Sequence, residues 1–131
     1  MKTPDLPVDP RKLDAIEYDA LIPLYEEMLE ADPDDVPALY WLGHAYTATE
    51  RYEEGLELDR RLTALRPDDP VARYNLGCSF ALTGRTEEAF EALGQAIRLG
   101  YRDHAHMEVD TDLDSLRSDD RFRELLDRIR G

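Results

Sequence analysis

The stretch Val36-Pro37-Ala38-Leu39-Tyr40-Trp41-Leu42-Gly43-His44-Ala45-Tyr46 and the stretch Pro70-Val71-Ala72-Arg73-Tyr74-Asn75-Leu76-Gly77-Cys78-Ser79-Phe80 carry one pattern, 34 residues apart. Leu42-Gly43 returns as Leu76-Gly77 and Tyr46 as Phe80. Around them Pro33-Asp34-Asp35 returns as Pro67-Asp68-Asp69, and Glu53-Glu54 as Glu87-Glu88. A fixed period of this size marks a repeated supersecondary unit that buries its apolar face against a copy of itself. Two complete units are expected, 36–69 and 70–103, with half a unit before them over 13–35.

Each unit reads as two helices. Leu39, Leu42, Gly43 and Tyr46 share one face at helical spacing. Asp35 and Asp69 stand where an N-cap is wanted, with Pro37 and Pro70 in the first turn, where a missing N–H costs little. Gly84 is placed to end a helix in the left-handed conformation, and Thr86 to cap the next one ahead of Glu87 and Glu88. Leu56, Leu62 and Leu65 form the stripe of one second helix; Phe90, Leu93, Ala96 and Ile97 form that of the other. Pro67 closes the first of these helices and the Leu99-Gly100 step the second. Gly43 and Gly77 lie mid-helix, where each costs about 1 kcal/mol relative to Ala. That cost makes sense if another helix crosses there, with Gly55 and Ala89 as the small residues facing them.

The pattern Leu39-x-x-Leu42-Gly43-x-x-Tyr46…Gly55…Pro67, then Arg73-x-x-Leu76-Gly77-x-x-Phe80…Ala89-x-x-x-Leu93, resembles the tetratricopeptide repeat family over about residues 17 to 103. Departures are visible: Leu39 and Arg73 replace the early aromatic, Gly55 the usual Ala, Asp59 a large apolar residue, and Tyr101 a closing Pro. The resemblance implies an all-α solenoid of about two and a half hairpins that binds proteins or peptides on a concave side lined by the first helix of each unit. Carried onto this chain, the groove positions are Tyr40, His44, Thr47 and Ala48, then Tyr74, Cys78, Ala81 and Leu82, with Trp41 and Asn75 at its edge. Tyr and Trp offer large contact area at low entropic cost; for Trp41, packing between hairpins is an equal alternative. The Lys and Asn clamp by which some family members grip chaperone C-termini is missing, since both lysines, Lys2 and Lys12, lie ahead of the repeats.

Working outward, residues 1–12 carry Pro4, Pro7 and Pro10 and read as an extended arm. From Leu13 to Ala31 a helical pattern runs through Ile16, Leu21, Leu24 and Met28. Pro23 interrupts it: either Asp19 caps a helix with Pro23 in its first turns, or a longer helix is kinked there. The tail, 104–131, breaks the period. Its Asp110-x-Asp112-Leu113…Leu116-Arg117…Arg121-Phe122 run resembles the capping segment that closes some bacterial tetratricopeptide groups, and Asp119 is placed to cap a last helix bearing Phe122, Leu125, Leu126 and Ile129.

Composition sets the outer limits. The 131 residues hold 16 Lys+Arg against 30 Asp+Glu, a formal net charge of -14. That balance argues against nucleic acid or an anionic membrane as the main partner. One cysteine excludes an internal disulfide framework. No apolar run approaches the roughly 20 residues that span a bilayer, and Met1 to Pro10 lacks the apolar core of a secretory signal; a cytoplasmic location is the expectation.

Chemistry finds little footing in the linear chain. His104-x-His106 lies among Asp103, Glu108, Asp110 and Asp112, but no third zinc ligand stands at a fixed helical offset. Asp110-x-Asp112-x-Asp114 superficially resembles a calcium loop and fails where Gly and a bidentate Glu are needed, at Ser115 and Arg121. Cys78 has no neighbour in sequence to lower its pKa. Phosphate loops, nucleophile elbows and HExxH motifs are absent. The expectation is therefore no enzyme, no metal and no cofactor: an adaptor that takes a peptide or protein segment in its groove. Residues 1–35 hold three bases against eleven acids, whereas 70–99 hold three of each. A ligand with apolar anchors and some basic residues would suit that gradient. The alternative is a structural subunit that self-associates through the half unit at Leu13–Met28. A third, disfavoured alternative is a metal-dependent hydrolase on the 103–114 loop.

Overall fold

Asp14 caps the first helix, α1 (Ala15–Ala31): its carboxylate accepts from the backbone N–H of Glu17, and the Glu17 side chain accepts from the Asp14 N–H. This reciprocal box satisfies two N–H groups that the helix leaves without partners. The computed structural model describes residues 14–131, so the expected arm over 1–12 lies outside the described residues. Of the two readings of Pro23, the longer helix holds: Pro23 lies inside α1, and Asp19 caps nothing. The buried face is Tyr18, Ile22, Tyr25, Met28 and Leu29, rotated from the expected one. Ile16, expected on the stripe, is 82% exposed.

Seven further elements follow: α2 (Val36–Ala48), α3 (Tyr52–Leu65), α4 (Pro70–Leu82), α5 (Thr86–Arg98), α6 (His104–Val109), a 3-10 turn (Thr111–Leu116) and α7 (Asp120–Arg130). No strand occurs among the described residues. The chain divides into two compact units, one ending at Leu65 and the other running from Arg66 to Gly131. In the first, α1 packs on α2 and α2 on α3; in the second, α4 packs on α5.

The two hairpins reuse the same local devices. Asp35 accepts from Ala38 N–H at 3.1 Å, and Asp69 from Val71 and Ala72 N–H at 2.9 and 3.3 Å. The hydroxyls of Thr49 and Thr83 donate back to the carbonyls of Ala45 and Ser79, both at 2.8 Å. The left-handed position after each first helix is Gly84 (φ 77°) in one hairpin and Glu50 (φ 63°) in the other. Thr86 does not cap α5: Arg85 occupies the N-cap position without a side-chain bond, and Thr86 is the first helical residue. Gly100, at φ 116°, follows α5 as expected.

The mid-helix glycines sit at crossings. A Cβ on Gly77 would lie 2.8 Å from Cγ and Cδ2 of Leu93, inside contact distance. At Gly43 the facing atom is Oδ1 of Asp59 at 3.1 Å. Asp59 and Leu93 are themselves 34 residues apart, so the polar departure noted in the first unit is buried at the same crossing.

Candidate functional site

The outward positions of α2 and α4 come out differently. On α2, Tyr40, His44, Thr47 and Ala48 are half-buried. The Tyr40 ring meets His44 edge-on at 4.7 Å between centroids and Trp41 at 5.6 Å. Trp41 is buried, as packing requires, and offers little surface to a ligand.

On α4, Asn75 and Leu82 are half-buried, but Tyr74, Cys78 and Ala81 lie beneath the chain's own C-terminal segment. Tyr74 is 3% exposed and donates its hydroxyl to Oδ2 of Asp110 at 2.6 Å. The Cys78 thiol reaches the same oxygen at 3.8 Å, and the Ser115 hydroxyl donates to the Ala81 carbonyl at 3.4 Å. The 3-10 turn packs on α4, with Leu113 and Leu116 fully buried. A ligand could reach Tyr74, Cys78 and Ala81 only by displacing this segment, so they do not line an open groove. The physical reason is that α6 stops after six residues and the chain turns back across α4.

Several residues build this cover. Tyr101, standing where a proline was expected, stacks on Tyr74 with centroids 4.3 Å apart and planes within 4°. Oδ1 of Asp110 accepts from the Asp112 N–H at 3.0 Å and starts the 3-10 turn. Arg117 binds the carbonyls of Glu108 and Asp110 and the Asp114 carboxylate, which holds the bend closed. On the far side, Arg121 lies 4.2 Å from the Phe90 ring centre and pairs with Glu87 and Asp119, so α7 is fixed to α5. Its hydrogen bonds hold both carboxyls below their ordinary range. Asp119 caps α7 as expected.

The electrostatics follow burial. Desolvation, with Cys78 and Asp110 adding to it, pushes the Tyr74 phenol far up, and desolvation raises Tyr101 as well. The Asp112 carboxyl is pushed up to about 6 by burial and by the adjacent charges of Asp110 and Asp114. His106 Nε2 lies 3.1 Å from Oδ2 of Asp110. The linear chain hinted at the covering turn through Asp110-x-x-Leu113-x-x-Leu116, an apolar pair at the three-residue spacing of a 3-10 helix. It held no hint that α4 would receive it.

Paired hairpins with equivalent caps, equivalent crossings and a 34-residue frame are matched by tetratricopeptide repeat models over residues 13–76 and 71–99. The chain belongs to the tetratricopeptide repeat family. Its fold class is accordingly the all-α tetratricopeptide solenoid. Solved structures of MamA share the fold. One is 26% identical, with a TM-score of 0.70, covering 86% of this chain and 66% of its own. Another MamA crystal structure is 25% identical with a TM-score of 0.69, over 86% and 62%. The 41-to-end portion of MamA from Desulfovibrio magneticus RS-1 is 18% identical with a TM-score of 0.71, over 87% and 63%. The chain therefore spans less than two thirds of the length of these MamA structures, by a narrow margin for the first. No curated protein matches it in sequence. Tetratricopeptide repeats with a MamA-like fold support a protein-interaction adaptor or scaffold role, and such folds are typically non-enzymatic. Among the described residues no helix is long and apolar enough to cross a membrane.

Proposed function

We propose that this chain is a non-enzymatic adaptor that binds a peptide or protein segment on the outward face of α2, with Tyr40, His44 and Thr47 as its contacts. The observation that carries this reading is the difference between the two first helices. The α4 face of the second unit already holds a polypeptide segment, the chain's own turn with Leu113 and Leu116 as anchors. The α2 face has the same register and remains half-exposed at Tyr40, His44 and Thr47. A ligand with apolar anchors and basic residues suits the surplus of acids that the sequence carries over residues 1–35. On this reading the segment after residue 103 is a cap that closes the repeat array, and the protein works in the cytoplasm.

Affinity capture from native lysate tests it, with wild-type protein against a Tyr40→Ala variant. The variant should lose a defined set of captured proteins while its far-ultraviolet spectrum and melting temperature stay close to wild type. An unchanged set of captured proteins would discredit the α2 face.

A second reading, self-association through the half unit, is favoured by Ile16, a large apolar side chain left 82% exposed on α1. Sedimentation across micromolar to millimolar protein separates the two. Concentration-dependent association abolished by Ile16→Lys would support this reading, and a clean monomer would remove it.

A further inference from the structure

The Asp110 carboxylate is the meeting point of side chains from three elements. Cys78 comes from α4, His106 from α6, and Asp112 from the 3-10 turn that Asp110 itself starts. His106 Nε2 is 3.1 Å from Oδ2 of Asp110, and Cys78 Sγ is 3.8 Å from that oxygen. Donor atoms of Cys78, Asp110 and Asp112 all lie within 4.8 Å of one another. We propose that Cys78, His106, Asp110 and Asp112 form a binding site for a divalent cation of the zinc class.

The distances carry the argument. A tetrahedral zinc ion with nitrogen and oxygen ligands at about 2.0 Å and sulfur at about 2.3 Å holds its ligand atoms roughly 3.3 to 3.6 Å apart. The nitrogen–oxygen and oxygen–sulfur separations to Asp110 bracket those edges. His106 touches Asp110 but stands outside the set of mutually close donors, so its imidazole must swing toward Cys78 and Asp112 to complete the site. The donor set selects the ion class. A thiolate and an imidazole suit zinc or cobalt, whereas calcium and magnesium take oxygen ligands. Charge points the same way: two carboxylates and a thiol converge where Arg117 directs its guanidinium to the Glu108 and Asp110 carbonyls and to Asp114. A dication would relieve the repulsion between the Asp110 and Asp112 carboxylates.

Uptake balances simply. The Cys78 S–H bond breaks and its proton leaves to solvent as the Sγ–metal bond forms; His106 binds as neutral imidazole through Nε2. The Tyr74 hydroxyl, 2.6 Å from Oδ2 of Asp110, stays on that oxygen and orients the ligand from outside. The His104–Asp114 region lacked a third ligand in sequence; Cys78 supplies it from 32 positions before Asp110.

The test uses the full chain, stripped with chelator and then titrated with cobalt(II) and with zinc(II). One equivalent of zinc should survive desalting, and cobalt should give a thiolate-to-metal charge-transfer band in the near ultraviolet. Cys78→Ser should abolish the band, and Asp112→Asn should weaken cobalt binding about 10- to 100-fold. Glu124→Gln, an exposed carboxylate on α7, should change neither. Zinc should also raise the melting temperature of the wild type reversibly with chelator, a readout independent of any variant's folding. No zinc retained and no melting shift would overturn the proposal. So would cobalt binding without a thiolate band, because the surface carboxylates would then be the ligands.

Discussion

Two hairpins of one 34-residue design differ in what happens to their first helix. In the first unit the α2 face stays half-open around Tyr40, His44 and Thr47; in the second the α4 face is filled by Leu113, Leu116 and Asp110. Their crossings differ too, a buried Asp59 against Gly43 in one and Leu93 against Gly77 in the other. The lesson is that repeat equivalence specifies the backbone frame and leaves the use of each surface to its neighbours. Leu39 and Arg73 occupy one repeat position, yet Leu39 is fully buried while Arg73 donates to the Gln95 side chain and the Pro67 carbonyl.

The largest expected effect probes the cover. Leu113→Ala or Leu116→Ala should cost about 2–5 kcal/mol in urea unfolding, the range for truncating a fully buried leucine. A cost below about 1 kcal/mol would mean that the turn is not part of the folded core, and the contrast between the two faces would collapse.

The crossings separate the hairpins next. Gly77→Ala places a methyl against Leu93 Cγ, so strain should outweigh the helix-propensity gain and leave a net loss of about 1–2 kcal/mol. At Gly43 the contact is a carboxylate oxygen that needs to move only slightly, and Gly43→Ala should come out near neutral. Equal losses at both sites would show that the two crossings are packed alike.

The turn position gives a smaller, opposite pair. Gly84→Ala forces a Cβ into the left-handed region and should cost about 1 kcal/mol. Glu50→Gly removes the same strain from the first hairpin and should gain up to about 1 kcal/mol.

Alkaline pH sharpens the contrast through the tyrosines. Burial, then the hydrogen bond to Glu26, pushes the Tyr46 phenol up to about 12, and Tyr74 is pushed further in the same direction. Each phenol therefore keeps its proton longer when folded than in the unfolded chain, where it titrates near ~10. Their contribution is complete below that pH and is lost as pH rises toward the folded values. Unfolding measured near ~pH 9 and ~pH 11 should show a loss that shrinks by a similar amount with Tyr74→Phe and with Tyr46→Phe. The two part only above ~pH 12, where Tyr46 titrates in the folded chain and Tyr74 does not.

Much of the frame was legible in the linear chain. Asp35, Asp69 and Asp119 cap where their spacing from the apolar runs placed them, and Gly43, Gly55, Gly77 and Ala89 are all buried. Two local expectations failed for identifiable reasons. Asp14 with Glu17 forms a full capping box and outcompetes Asp19, and Arg85 takes the N-cap position because Gly84 ends the preceding turn one residue earlier. The site was less legible. Tyr74, Cys78 and Ala81 carry the groove register, but the register says nothing about a segment some 30 residues on returning to cover them.

The amino-acid order alone was enough for the hairpins, their period and their family, because caps, prolines and apolar stripes act within one or two helical turns and the small residues at the crossings recur at the repeat period. The pairing of Tyr74 and Cys78 with Asp110, and the split between an open α2 face and a covered α4 face, depended on the folded arrangement of unit two. There α6 ends at Val109, Arg117 closes the bend, and Leu113 and Leu116 leave water against α4. Burial between distant segments is non-directional and leaves no fixed spacing in the chain.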